Sequence, residues 1–320
     1  MELRQLRYFI GISEAGSVLR ASRTLHVAQP ALSQQIAALE DEVGARLFDR
    51  SSRGVTLTEA GKVFLEHARV VLADVERARM AVRDASAVPA GDVAVGLPTT
   101  VALVATVPIL RACRERFPQV RLKLIEGYSG HLREWLQAGR LDMALLFGDT
   151  AEAGLAKHAL LDDRLVLVTG AKAAHAPRKV TLAALARWPL VLPGREHGLR
   201  KIIDEACTPH GVVLDVVAEI EALGSVKKAV EAGIGATILS LGSVAEEVAA
   251  GRLRASAIER PSLSRRVVCA TSVTRPTTPV AAAVIALVTD VIHAMVESGD
   301  WPARWVGCEV RSAQAAAASL

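Results

Sequence analysis

With 320 residues, 51% hydrophobic side chains and only 3% aromatic ones, the chain is long enough for one small and one larger domain with cores of Leu, Val, Ile and Ala. A net charge of +4 permits a polyanionic partner without requiring one. Cys113, Cys207, Cys269 and Cys308 lie far apart with no Cys-x-x-Cys, which argues against a zinc site or a disulfide framework. No apolar secretory segment opens the chain, so a cytoplasmic location is expected.

Leu3, Leu6, Phe9 and Ile10 recur at helical spacing, and Glu14-Ala15-Gly16-Ser17 supplies a turn and a capping Ser. Val18, Ala21, Ser22 and Leu25 then predict a second helix, broken at His26-Val27-Ala28. Pro30 suits a first helical turn, and Leu32, Ile36 and Leu39 make the apolar stripe of a third helix ending near Val43-Gly44. On its opposite side Pro30, Ser33, Gln34 and Ala37 form a small uncharged face. Such a face can enter a DNA major groove, where Gln pairs with adenine and small apolar groups meet thymine methyls. An ordinary solvated helix face is the alternative.

Arg46 to Thr58 reads as two short strands around a polar turn, a wing, with Arg50 and Arg53 at its tip placed to meet phosphates or a minor groove. Residues 1–58 hold seven arginines against six acids, a net of +1, so tight binding calls for several copies acting together.

Thr58 can cap a long linker helix over 59–88. Phe64, Ala68, Val71, Val75, Ala78 and Val82 step by four and three, the seam of a coiled coil, and predict a dimer helix. Packing on the chain's own domain is the competing reading. Pro89-Ala90-Gly91-Asp92 ends the helix, and alternating strands and helices follow over 89–300. The first run predicts a parallel sheet and the second a similar one. Two α/β lobes result, about 90–161 with 268–300 and about 162–267, leaving a cleft between them. The apolar stretch Val280–Val296 contains Asp290 and His293 and reads as a buried helix, so no membrane partner is expected. Residues 301–320 are left as a tail for which disorder is one reading.

In open α/β sheets ligands settle beyond the strand ends, where helix N-termini aim N–H groups at an anion. Thr99, Thr100, Ser129 and Gly130 fall at such points, with helix capping as their other reading. Arg195 and His197 open a second-lobe helix and suggest an anionic effector; alternatively Arg195 pairs with Glu196 or Glu221 and His197 closes the loop.

The N-terminal pattern resembles the LysR-type transcriptional regulators. It is carried by Leu3-Arg4-Gln5-Leu6-Arg7-Tyr8-Phe9, Ala28-Gln29-Pro30-Ala31-Leu32-Ser33-Gln34-Gln35-Ile36, Leu39-Glu40, Leu47-Phe48-Asp49-Arg50 and Leu57-Thr58-Glu59-Ala60-Gly61. The resemblance implies a winged helix-turn-helix and a long linker helix, followed by a two-lobe α/β domain like the type 2 periplasmic binding proteins. It implies that Gln29, Pro30, Ser33 and Gln34 face bases of double-stranded DNA, with Arg53 a further contact. It also implies a homodimer or homotetramer, and a small-molecule effector in a cleft that Thr99, Thr100, Ser129, Phe147 and Gly148 line; RNA polymerase is a further partner to consider. Ala28 stands where the family usually has Ser, Leu19 replaces a frequent polar residue, and Gln34 occupies a position often basic. Glu126 to Leu132, with Leu192 to Arg200, looks like the branch containing the nitrogen assimilation control protein.

No enzyme, metal site or cofactor is expected. The eight histidines are scattered without metal-ligand spacing, and Gly233-Ile234-Gly235 lacks a Walker lysine. A stand-alone solute-binding protein leaves residues 1–88 unexplained. A thiol sensor using Cys207, near Arg and Lys residues but without a resolving Cys, is the remaining alternative.

Overall fold

The computed structural model describes residues 1–51, 54–83, 89–173 and 177–307. Two compact units emerge, Met1–Ala87 with Ala138–Arg140, and Val88–Gln137 with Leu141–Leu320.

In the first unit α1 (Leu3–Ala15), α2 (Val18–Leu25) and α3 (Gln29–Val43) are three short helices, each closed by a left-handed residue: Gly16, His26 and Gly44. The apolar stripes converge, burying Leu6, Phe9, Leu32, Ile36 and Leu39; on α1 Ile12 joins them, while Leu3 is exposed and Ile10 half-buried. Strands β1 (Phe48–Ser51) and β2 (Gly54–Leu57) form the antiparallel wing, with Phe48 opposite Leu57. Glu40 Oε1 accepts from the N–H groups of Leu47 (2.7 Å) and Phe48 (3.1 Å), fixing the wing's entry to α3.

Helix α4 (Glu59–Arg83) starts under Thr58, whose Oγ1 accepts from Gly61 N at 2.9 Å. Gly61 has to be glycine, because a Cβ there would collide with the Leu47 carbonyl. The expected dimer seam is corrected at its start. Phe64 packs edge-on against Phe9 (5.0 Å between centroids), and Ala68 is buried in the same core, so both serve their own domain. Val71 is exposed and Val75 half-buried. The side chains of Ala78 and Val82, and residues 84–88, lie outside the described part.

In the second unit β3 (Gly91–Pro98), α5 (Thr99–Arg116), β4 (Val120–Gly127), α6 (Ser129–Gln137) and β5 (Met143–Phe147) build the expected β-α-β-α-β run. β3 pairs parallel with both β4 and β5. The next strand, β6 (Leu155–Gly170), is long enough to serve both lobes. Lobe 2 adds β7 (Lys179–Thr181), β8 (Pro189–Leu192), α7 (Gly198–Cys207), β9 (Asp215–Glu219), α8 (Leu223–Glu231), β10 (Thr237–Ser240), α9 (Ala245–Ala249) and β11 (Leu253–Glu259). Its sheet is mixed rather than the second parallel run expected, since β10 and β11 both pair antiparallel with β6. Lobe 2 has its own core around Leu165, Leu167, Leu190, Ile203 and Ile238.

The chain returns to lobe 1 through β12 (Ser264–Ser272), antiparallel to β5 and β6. Helix α10 (Pro279–Ser298), although long and apolar enough to cross a membrane, buries Val284, Leu287, Val288 and Ile292 in the lobe 1 core. Residues 301–307 are not a loose tail. Strand β13 (Ala303–Trp305) pairs with β6, and Trp301 is 1% exposed.

Candidate functional site

Two surfaces were expected to meet partners. On α3, Gln29, Pro30 and Gln34 are exposed and Ser33 is half-buried, while Leu32, Ile36 and Leu39 anchor the other side. Ala28 is the N-cap and supplies no side-chain hydrogen bond, so this helix start is open to an outside acceptor. In the wing, Arg50 lies on β1, but its side chain and the whole of Arg53 lie outside the described residues.

In the second unit, Thr99 and Thr100 open α5 and are half-buried. Neither caps it: Pro98 is the N-cap and makes no side-chain bond. Thr100 Oγ1 accepts instead from Arg265 Nη2 at 2.7 Å. The Arg265 guanidinium also lies over the Phe147 ring, 3.8 Å from its centroid. Thr100 and Phe147 are thus brought together by a residue the sequence reading did not single out. Gly148 (φ 88°) hydrogen-bonds through its N–H to Arg266 O at 2.9 Å. Ser129 opens α6, and its Oγ is buried with no partner among the described residues.

From lobe 2, His197 caps α7: its Nδ1 accepts from Leu199 N at 3.1 Å. Tyr128 of lobe 1 meets the His197 ring edge-on, 5.3 Å between centroids and at 86°. Burial holds His197 below the ordinary histidine range; Glu221 opposes that shift and Arg265 reinforces it. Arg195 is exposed and forms no ion pair among the described residues, and the pairing considered for it is not made. Glu196 instead lies 3.8 Å from Lys201, and Glu221 Oε1 accepts from Gly194 N at 2.9 Å.

A helix-turn-helix part followed by a two-lobe domain is also what the comparisons find. Residues 3–62 match the family model described as "Bacterial regulatory helix-turn-helix protein, lysR family", and residues 86–292 match the "LysR substrate binding domain". The chain belongs to the LysR family. It is a DNA-binding transcription regulator with an effector-binding domain.

Among LysR-family relatives it is 38% identical over 265 residues to the nitrogen assimilation regulatory protein nac of Klebsiella aerogenes, covering 82% of this chain and 86% of that one. It is 30% identical over 301 residues to the HTH-type transcriptional regulator BbuR of Bordetella bronchiseptica, covering 93% and 92%. The similarity to nac agrees with the branch expected from Glu126 to Leu132. A full-length OxyR variant from Pseudomonas aeruginosa superposes with a TM-score of 0.70 at 26% identity, covering 92% of this chain and 95% of that one. CbnR complexed with its target DNA gives 0.69 at 24% identity, covering 91% and 100%, a likeness of fold alone.

The thiol-sensor alternative is set aside. Cys207 is 2% exposed, and burial, reinforced by Asp204, pushes its thiol up; burial pushes Cys269 up to about 12. Neither offers the accessible thiolate a redox sensor needs. The sequence reading missed Arg265, Asp163, Ser240 and Trp301. A signal existed: adjacent acids, Asp162 and Asp163, interrupt an apolar run, and adjacent arginines, Arg265 and Arg266, open the apolar run Val267–Ala270.

Proposed function

We propose that this LysR regulator reads promoter DNA with Gln29, Pro30, Ser33 and Gln34 of α3, its wing arginines Arg50 and Arg53 meeting the backbone. A small anionic effector enters between the lobes and tunes that binding. The observation that carries this reading is the convergence of Thr100 and Phe147 on one buried guanidinium, with His197 and Tyr128 meeting across the two lobes. Thr99, Ser129, Gly148 and Arg195 supply the remaining lining. Sequencing the DNA fragments retained by the purified full-length chain tests the reading. Enrichment of a discrete set of sites, lost in Gln34→Ala, is expected, and the linked genes then indicate which acids to titrate. Retention without sequence preference would remove the base-reading role.

The protein works as a homodimer, or a homotetramer built from dimers, in the cytoplasm, where it engages RNA polymerase at its promoters. Supporting this assembly, residues 1–58 carry a net charge of only +1, and the outer side of α4 keeps Val63 and Val71 exposed. With Phe64 and Ala68 committed to the domain core, the dimer contact runs through Val71 and Val75. Light scattering on the full-length chain checks the oligomeric state.

A further inference from the structure

Arg265 enters on β12 where Ser264 to Arg266 run beside Arg164 to Asp162 of β6, the strand shared by the lobes. It is 4% exposed, and Asp163 is 1% exposed. Asp163 Oδ2 accepts from Arg265 Nε (3.0 Å) and Nη2 (2.8 Å). Its other oxygen, Oδ1, accepts from Ser240 Oγ at 2.7 Å and from Trp301 Nε1 at 3.1 Å. With both oxygens held from three segments of the chain, the carboxylate cannot rotate, and the bidentate guanidinium is fixed in turn. Trp301 is itself wedged at the junction: a Cβ on Gly242 of lobe 2 would meet both the Trp301 ring (3.3 Å) and Val104 of α5 (3.4 Å).

The consequence falls on Thr100. A hydroxyl carries one hydrogen, and because its oxygen accepts from Arg265 Nη2, its own O–H is left to donate elsewhere. A ligand meeting that hydroxyl must therefore accept a hydrogen bond. An oxyanion can also slip between the two groups, accepting from Nη2 and from the O–H so that neither is left unpaired. A cation of the same shape would face the guanidinium charge and an O–H aimed at its own donors.

We propose that Arg265, locked by Asp163, makes Thr100 a hydrogen-bond donor to the cleft and so selects carboxylate or other oxyanion effectors over cationic isosteres. Ser240 and Trp301 are positioning residues that act through Asp163. The proposal rests on the effector-cleft reading and adds to it the residue that sets its chemical selectivity.

Butyrate and butyramidinium, two ions of one shape and opposite charge, test it by thermal shift and calorimetric titration of the full-length protein. Butyrate should bind and raise the melting temperature, with butyramidinium at the same concentration doing neither. Thr100→Val, which leaves the Arg265–Asp163 pair intact, should weaken butyrate at least about tenfold, the order expected when one buried hydrogen bond is removed. Trp301→Phe keeps an aromatic ring and deletes only the indole donor. It should narrow the butyrate-to-butyramidinium ratio, a readout that a merely structural role of Trp301 would leave alone. Arg265→Lys, which keeps the charge but cannot serve Asp163 and Thr100 with the same fork, should narrow it further. Equal binding of the two ions, or a ratio untouched by Thr100→Val and Trp301→Phe, overturns the proposal while leaving a cleft that binds ligands. If neither these ions nor glutarate or phosphate bind, the effector-cleft reading falls with it.

Discussion

The two helix starts proposed to meet outside partners are prepared in opposite ways. At α3 nothing is committed among the described residues: Ala28 offers no cap, and Gln29, Pro30 and Gln34 are exposed without a side-chain bond holding them. At α5 the second residue is already engaged, its hydroxyl held by a buried arginine that pairs with Asp163, a carboxylate Ser240 and Trp301 also hold. The difference follows from the partners. DNA presents a long surface, so each contact can be loose and affinity comes from repetition across copies. A small effector makes few contacts, and each has to be oriented before the ligand arrives.

The sharpest way to break this contrast is Asp163→Ala. It strands a buried guanidinium and should destabilise the effector-binding domain by about 3–5 kcal/mol in urea denaturation. A loss no larger than a surface substitution gives would mean the α5 start is not held by this network. Helix α4 offers the same contrast over one turn. Ala68→Asp places an unpaired charge in the core under Phe9 and should cost the DNA-binding unit roughly 3 kcal/mol. Val71→Asp, on the exposed side, should leave unfolding unchanged and shift light scattering from dimer toward monomer. If both variants only unfold the domain, α4 has no free face. On the uncommitted side, Gln34→Ala should lose roughly 1–3 kcal/mol at the preferred DNA site while non-specific binding stays nearly constant. Equal losses on both DNAs would make Gln34 a backbone contact.

The same contrast explains what could be read from the sequence. The α3 face, the wing and the glycine-bounded helices are local, set by residues three or four positions apart, and periodicity exposes them directly. Thr100 was legible as a helix start beyond a strand, but not as a hydroxyl taken by Arg265, 165 residues further on. Asp163, Ser240 and Trp301 are united only by tertiary folding, and Trp301 sits in the segment left as a tail. Phe64 and Ala68 failed for a related reason. A repeat of apolar residues every three or four positions fits a partner helix and a neighbouring core equally well, and only the packed domain decides.

The smallest effect should come from pH, and it belongs to the committed side alone. His197 caps α7 through an unprotonated Nδ1, so charging the ring forfeits that acceptor and sets a cation against the helix N-terminus and Arg265. Glu221 is the group that favours the charged form, and burial outweighs it, so the folded-state pKa lies below the ordinary histidine value. The sign follows from proton uptake. As pH falls through about 6.5, the unfolded chain takes up the proton before the folded one does. Stability from this group is therefore complete above that pH, is lost across the interval down to the lowered folded pKa, and changes no further below it. His197→Asn keeps a competent N-cap and cannot titrate. Melting both proteins from about pH 8 to about pH 5 and subtracting the curves removes what the other histidines contribute. The wild type should fall relative to His197→Asn only on the acid side. A difference that stays flat across the range would mean His197 is as free to charge as an exposed histidine, and that lobe 2's helix start is as uncommitted as α3.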